Sequence, residues 1–422
     1  MKWPQVEMGK VADVVSGYGF PRECQGLIGE EFPFFKVGDM NIPGNEKCMT
    51  TVVNTISRAT LKKLKARAFP KGTVIFPKIG AAIATNKKRV LMQPSVVDNN
   101  IMGLIPKPHI NPWYLYYWVL QFDLRSVSNI GPVPSMRKTE VERLPIPLPP
   151  LSEQRRIVEI LDQADALRKK RAEADAKAAR ILPALFYKMF GDAIANPHGF
   201  AMETVGNLLT LLRNGTTAEQ NQDGHGYPVT RIETISAGVI NPDRVRYVDF
   251  DDSELNKWRL RPGDILFSHI NSESHIGKTA IYKGQPDPLI HGMNLLLMRP
   301  DARQVRPEYL FAVLNTDSVR AAYRQRCKRA VNQASLNQKD ISSLEIAVPP
   351  IDAQDRFCLL AGNVLQQVET QQKATENIEK LFDNLIHRAF TGVVTAKWRE
   401  AHMKELLQEM EQQAKELKID DC

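Results

Sequence analysis

The chain has 422 residues, of which 43% are hydrophobic and 25% charged, with 27 prolines, 24 glycines and a formal net charge of +8. Such a chain can bury a large core over two or three domains, which excludes wholesale disorder and collagen-like repeats. No apolar run approaches the ~20 residues of a membrane helix, no apolar stretch follows Met1-Lys2-Trp3-Pro4-Gln5 as in a secretory signal, and the cysteines (Cys24, Cys48, Cys327, Cys358, Cys422) form no C-x-x-C pair. A disulfide scaffold and a zinc ribbon are thereby excluded, and the expectation is a cytoplasmic protein in a reducing compartment with no metal of its own.

The charge is uneven: net +9 over residues 1–150, +3 over 151–190, zero over 191–350 and −4 over 351–422. A strongly basic segment suits a polyanionic partner such as nucleic acid, while the acidic end argues against the whole chain coating DNA.

Residues 1–150 read as mixed α/β. Val74-Ile75-Phe76 after Gly72 suits a buried strand, and Trp113 to Leu120 a short helix. Two basic runs, Lys62, Lys63, Lys65, Arg67 and Lys87, Lys88, Arg89, are either solvated faces or DNA contacts, and Arg137-Lys138 lies in the loop before Pro149-Pro150. That Pro-Pro pair blocks helix upstream, Ser152 is the expected N-cap, and Glu153 suits the first turn of a helix. Over 151–190, apolar positions recur at Ile157, Ile160, Ala164, Leu167, Ala174, Ala178, Ile181 and Leu185, with Arg171 as the interruption and Pro183 as a kink or stop.

The region 191–350 repeats the first. Ile265-Leu266-Phe267 after Gly263 parallels the Val74 strand, Pro307-Glu308-Tyr309-Leu310 parallels Pro112-Trp113-Tyr114-Leu115, and Asn214-Gly215-Thr216-Thr217 reads as a loop. Candidate DNA contacts here are Ser268, His269, Asn271 and Ser272 at a strand end, and Arg324, Arg326, Lys328 and Arg329 leading into Asn332 and Gln333. Asn337-Gln338-Lys339 stands at the counterpart of Arg137-Lys138.

Pro349-Pro350 recurs 200 residues after Pro149-Pro150, with Asp352 as the expected cap of a second helix over 351–392. Its seam reads Phe357, Leu360, Val364, Ala374, Ile378, Leu381 and Leu385, with Gln367 and Gln371 as polar entries, in the same phase as the first at an offset of 200. The two helices either pair with each other, antiparallel with Arg171 meeting Gln371 near the middle, or pack separately on their own domains. In the tail, 393–422, Trp398 to Lys418 forms a charged amphipathic helix with Leu406, Leu407, Met410, Ala414 and Leu417 near one face. It either packs on its own chain or docks a partner.

The segment Ile146-Pro147-Leu148-Pro149-Pro150-Leu151-Ser152-Glu153-Gln154-Arg155-Arg156-Ile157-Val158 resembles the central conserved region of specificity (S) subunits of type I restriction-modification systems. The segment Ala389-Phe390-Thr391-Gly392-Val393-Val394-Thr395-Ala396-Lys397-Trp398-Arg399 is similar to their C-terminal conserved region. The resemblance covers nearly the whole chain, and the second copy departs from the motif with Asp352-Ala353 and Cys358. It implies two α/β (α+β) target-recognition domains, 1–150 and 191–350, separated by two long paired antiparallel helices with pseudo-two-fold symmetry. Each domain reads one half of a bipartite double-stranded DNA site, and the helices set the spacer. Two modification (methyltransferase) subunits dock on those helices and two restriction subunits join them. S-adenosylmethionine, ATP and Mg belong to the partner subunits, and the chain itself carries no catalytic residue.

Catalytic alternatives find little support in the residues. Asn111-Pro112-Trp113-Tyr114 falls short of the Asn-Pro-Pro-aromatic motif of an adenine methyltransferase, no Gly-rich cofactor loop precedes it, and the segment reads as a structural helix start. Ser272-Glu273-Ser274-His275-Ile276-Gly277-Lys278-Thr279 lacks the first glycine of a phosphate loop, and His269, His275 and His291 lack metal-ligand spacing. The rival readings are a self-contained methyltransferase and a coiled-coil scaffold that reads no DNA.

Overall fold

The computed structural model describes residues 3–129, 131–236, 238–272, 275–330 and 333–417, the side chains of 329, 330 and 333 excepted. It divides into two compact units, Met1–Ala172 with Ala374–Cys422, and Glu173–Lys373. The expected regions 1–150 and 191–350 each fall within one unit. The expected helical segments 151–190 and 351–392 are each shared between the two, and the tail belongs to the first.

The first unit is built on a five-stranded sheet in the order Ala12–Ser16, Ile101–Pro106, Val74–Pro77, Arg89–Leu91, Cys48–Met49, antiparallel except for the last pair. Val74, Ile75 and Phe76 are buried, as a continuous apolar run at the centre of a sheet requires. The helix Pro112–Leu120 covers one face and begins where expected: Asn111 Oδ1 accepts from the backbone N–H groups of Trp113 (2.9 Å) and Tyr114 (3.2 Å), with Pro112 in the first turn.

The second unit has a four-stranded antiparallel sheet in the order Leu209–Asn214, Leu296–Pro300, Ile265–Phe267, Thr279–Ile281, covered by the helix Pro307–Leu314. The duplication extends to single hydrogen bonds. Tyr114 Oη donates to Pro147 O (2.7 Å), and Tyr309 Oη to Ala347 O (2.8 Å). Gln154 Oε1 accepts from Asn111 N, Gln354 Oε1 from Arg306 N, both at 2.8 Å, while their amides donate to Pro149 O and Pro349 O. Both glutamines are fully buried, so each must spend its donors and acceptor on backbone, which fixes the start of the long helix against the short one. Gly17 and Gly215 are matched too: a Cβ at either would lie 2.0 Å from a backbone oxygen of the facing segment, that of Asp98 or Gly292, so only glycine fits.

The long helices span Leu151–Ala178 and Ile351–Phe390, about 42 and 60 Å. Within the first unit they run antiparallel. The Arg168 guanidinium lies 4.1 Å from the Phe382 ring centroid and donates to Glu379 (3.0 Å from Nε), and Arg171 Nε donates to Thr375 Oγ1 (3.0 Å). Within the second unit Phe186 and Phe190 pack edge-on against Phe357, with centroids 5.6 and 5.5 Å apart.

The seam is shifted from the expected one. Its fixed points, Ile157, Ala164, Arg171, Ala178, Phe357, Val364, Gln371 and Ile378, are buried or half-buried, but the intervening positions lie four residues on rather than three. Leu161, Arg168, Leu182, Ala361, Val368 and Phe382 face inward, whereas Leu167 (65% exposed), Leu381 (66%), Ile181 and Leu360 point outward and Ile160 is half-buried. A 3.5-residue repeat allows both choices, and polar Arg168 and Thr375 on the inner face reversed the hydrophobic cue. Arg168 stays there because its guanidinium stacks over the Phe382 ring and pairs with Glu379.

The expected caps are also corrected. The helices begin at Leu151 and Ile351, with Pro150 O accepting from Gln154 N (2.9 Å), so Ser152 and Asp352 sit inside the first turn. Pro183 acts as expected. It would clash with the carbonyl of Ala179 four residues earlier, and the chain breaks at 179–180 before resuming as the helix Ile181–Phe190. The tail forms the helices Ala396–Ala401 and Met403–Leu417, which pack on their own unit through buried Leu406 and Gln413, while Leu407 stays exposed. Among the described residues no helix is long and apolar enough to cross a membrane.

Candidate nucleic-acid interface

Both units offer the same construction at the strand ends. In the first, the chain leaves the strand Val74–Pro77 at Lys78, whose carbonyl accepts from Met136 N (3.0 Å), and Ile79 bridges to Ser135, which also bridges to Asn129. In the second, His269 O accepts from Leu336 N (2.9 Å), and Ile270–Asn271 pairs with Gln333–Ser335, which pairs with Lys328–Ala330. The residues after the strand Ile265–Phe267 and the basic run after Arg324, 57 or more residues apart in sequence, therefore share one small sheet.

The frame is common but its side chains differ. In the first unit Lys78 Nζ donates to Ser16 Oγ (2.9 Å), with burial lowering the ammonium pKa and Asp98 opposing that shift. In the second the corresponding position is His269, buried, and Asn271 Nδ2 donates to Ser268 Oγ (3.1 Å). Lys78 was missed from sequence. The signal was available, since Lys78 follows its strand as Ser268-His269 follows the repeat-related one.

Of the predicted contacts, Lys62, Lys63, Lys65 and Arg67 are exposed at the end of the helix Arg58–Lys63 and just beyond it. Arg324, Arg326 and Lys328 are exposed along the helix Asp317–Arg326 and the strand that follows. Arg137, Lys138 and Asn337 are exposed but start short helices, Lys138–Glu142 and Gln338–Ser342, rather than lying in loops. Asn337 Oδ1 is spent on Asp340 N (2.8 Å). Asn271 is half-buried, and so is Lys87, which bonds the Asn41 side chain.

Four residues do not offer a free head group. Lys88 is buried, its Nζ donating to Phe122 O (2.5 Å) and Asn86 Oδ1 (2.7 Å), and burial lowers its pKa to about 8. Arg89 is buried and donates to Lys88 O and Met40 O. Arg89 opens the inner strand Arg89–Leu91 and Lys88 immediately precedes it, so the run is not a solvated face. Ser268 and His269 are buried at the base of the small sheet. Asn332 lies outside the described residues, as do the side chains of Arg329 and Gln333.

The catalytic look-alikes resolve structurally. Asn111 is spent on capping its helix. Glu273 and Ser274 of the phosphate-loop imitation lie outside the described residues. His291 is buried, with Nε2 at 3.1 Å from Leu295 O and a pKa pushed down by burial to about 4. At or next to the two strand ends stand Lys78, Arg137, Lys138, Asn271 and Lys328, cationic head groups and an amide of the kind that phosphates and base edges accept from.

Comparison with known proteins gives the family. Residues 1–175 and 197–380 match the family described as the type I restriction modification DNA specificity domain, and the chain belongs to that family. It is 42% identical over 205 residues to a putative type I restriction enzyme MjaX specificity subunit of Methanocaldococcus jannaschii, covering 46% of this chain and 48% of that one. It is 27% identical over 300 residues to the type I restriction enzyme EcoKI specificity subunit of Escherichia coli, covering 65% and 63%. The matched regions thus span about half and under two thirds of these relatives' lengths. The fold is similar to that of the crystal structure of a type I restriction-modification S subunit from M. genitalium, with a TM-score of 0.51 at 13% identity, covering 92% of this chain and 96% of that one.

Proposed function

We propose that this chain is a noncatalytic DNA-specificity subunit of a type I restriction-modification assembly. Each unit reads one half of a bipartite double-stranded site through its strand-end face, and the two long helices set the spacer between the halves. The observation that carries this reading is the duplication itself. The scaffold bonds of Gln154 and Gln354, Tyr114 and Tyr309, and the close approaches of Gly17 and Gly215 are kept, while the strand-end residues diverge from Lys78 to His269 and from Ser16 to Asn214. A frame kept while its outward side chains change is what reading two different half-sites asks for.

The outward leucines of the seam, Leu167 and Leu381, have no packing role of their own and suit docking of two modification subunits, joined in the full assembly by two restriction subunits. Methyl transfer with S-adenosylmethionine and the ATP- and Mg-dependent steps then belong to those partners. The test is a base-modification map of the source genome with and without the gene. Loss of one split adenine-methylated motif upholds the role; an unchanged map in cells that express the whole system overturns it.

A further inference from the structure

In residues 1–150 three large aliphatic side chains stand exposed among the described residues: Leu27, Ile28 and Val133. Leu27 and Ile28 are followed closely by Glu30 and Glu31, a setting that phosphates disfavour. Val133 (62% exposed) sits instead on the strand-end face, two residues before Ser135, which bridges to Ile79 beside Lys78, and four before exposed Arg137-Lys138.

Val133 is also held. Pro132 and Pro134 flank it and fix their own φ angles. Pro134 O accepts from Gly80 N (2.8 Å), and Asn129 N donates to Ser135 O (2.9 Å). An apolar side chain kept in solvent on a pinned segment loses little freedom when something covers it. From Gly131 to Pro134 no side chain carries a hydrogen-bonding atom, so this segment reads no base edge by side-chain hydrogen bonds. The base-edge feature that an isopropyl group does recognise is the thymine C5-methyl, which lies in the major groove. In the second unit the place beside the strand end belongs to Lys328–Ala330 and Gln333–Ser335, whose sequence supplies Lys328, Arg329 and Gln333.

We infer that Val133 is a specificity-determining contact of the first unit, set against a thymine methyl in the half-site which that unit reads. The second unit's counterpart segment reads by hydrogen bonds instead. This rests on the reading of the chain as a DNA-specificity subunit.

The test uses the full chain assembled with its modification subunits, on a duplex bearing the site taken from the methylation map. Each thymine is replaced in turn by deoxyuridine, and Kd is measured at fixed salt. One thymine, in one half-site, should show about a fourfold loss, the worth of one buried methyl-sized group. Val133→Ala should bind the natural site about as weakly, and the same deoxyuridine should then cost nothing further. At its exposed position the substitution leaves the fold intact, and unchanged affinity penalties for base-pair changes in the other half-site verify this. Identical deoxyuridine profiles for the two proteins overturn the inference. So does a Val133→Ala variant that loses DNA bending with no deoxyuridine effect, which would assign a wedge between base steps. If the wild-type assembly does not prefer the site over a scrambled duplex, the specificity reading itself falls, and the inference with it.

Discussion

Replacing Glu153 by Ala tests whether one buried carboxylate ties three distant segments of the first unit together. Glu153 is fully buried in the first turn of the central helix. Its Oε2 accepts from Trp3 Nε1 (2.9 Å), and its Oε1 from Thr395 Oγ1 (2.6 Å) and Arg399 Nε (2.8 Å). Arg399, itself buried, lies 4.9 Å from the Trp3 ring centroid and donates to Gly392 O (2.8 Å). Glu153→Ala leaves the guanidinium uncompensated and strands two donors, a loss of about 3–5 kcal/mol by analogy with other broken buried pairs. Against a typical domain stability of about 5–15 kcal/mol that is a large fraction. The second unit carries Ala353 at the repeat-related position, so the loss should be confined to the first. Amide hydrogen exchange reads this directly. Protection should fall across the strand Gln5–Glu7, the start of the central helix and the tail helices, while Glu173–Lys373 keeps its rates. A change below about 1 kcal/mol, or an equal loss in both units, would refute the reasoning.

Four further outcomes are expected. Leu161→Ala and Phe382→Ala should each cost about 2–5 kcal/mol by urea denaturation, and Leu167→Ala and Leu381→Ala less than about 0.5 kcal/mol; the reverse order would restore the three-residue phase. The double variant Lys62→Gln, Lys63→Gln should flatten the dependence of log K on log salt by about one unit for each phosphate that no longer meets a cation, while Lys88→Met leaves the slope unchanged. His291 is held neutral by burial, with its pKa pushed down to about 4 against about 6.5 unfolded. Its contribution is therefore complete above pH 6.5 and is lost as pH falls through 4, by about 3 kcal/mol in all, and His291→Gln should flatten acid unfolding of the second unit in that window. Inserting one heptad into both long helices lengthens each by about 10 Å and should widen the preferred spacer by roughly three base pairs, as read from the methylated motif; an unchanged spacer would show that the helices do not set it.

Amino-acid order by itself determined the duplication, the strand at Val74–Phe76, the helix start at Asn111-Pro112, the break before Pro183 and the family. These features are local: they follow from the periodicity, the proline and capping chemistry of a few neighbouring residues, or from a motif repeated at a fixed offset. Only the tertiary structure decided which side chains face where. A heptad pattern admits two phases, and Arg168 with Glu379 and Phe382 selected the one that puts Leu167 and Leu381 in solvent. Three consecutive basic residues read as a solvated run, yet the inner strand Arg89–Leu91 draws Lys88 and Arg89 into the core, where backbone carbonyls take their donors. The strand-end face and the Glu153 cluster bring together residues from more than 50 to nearly 400 positions apart. Such contacts depend on how whole elements pack, and no window of neighbouring residues contains that information.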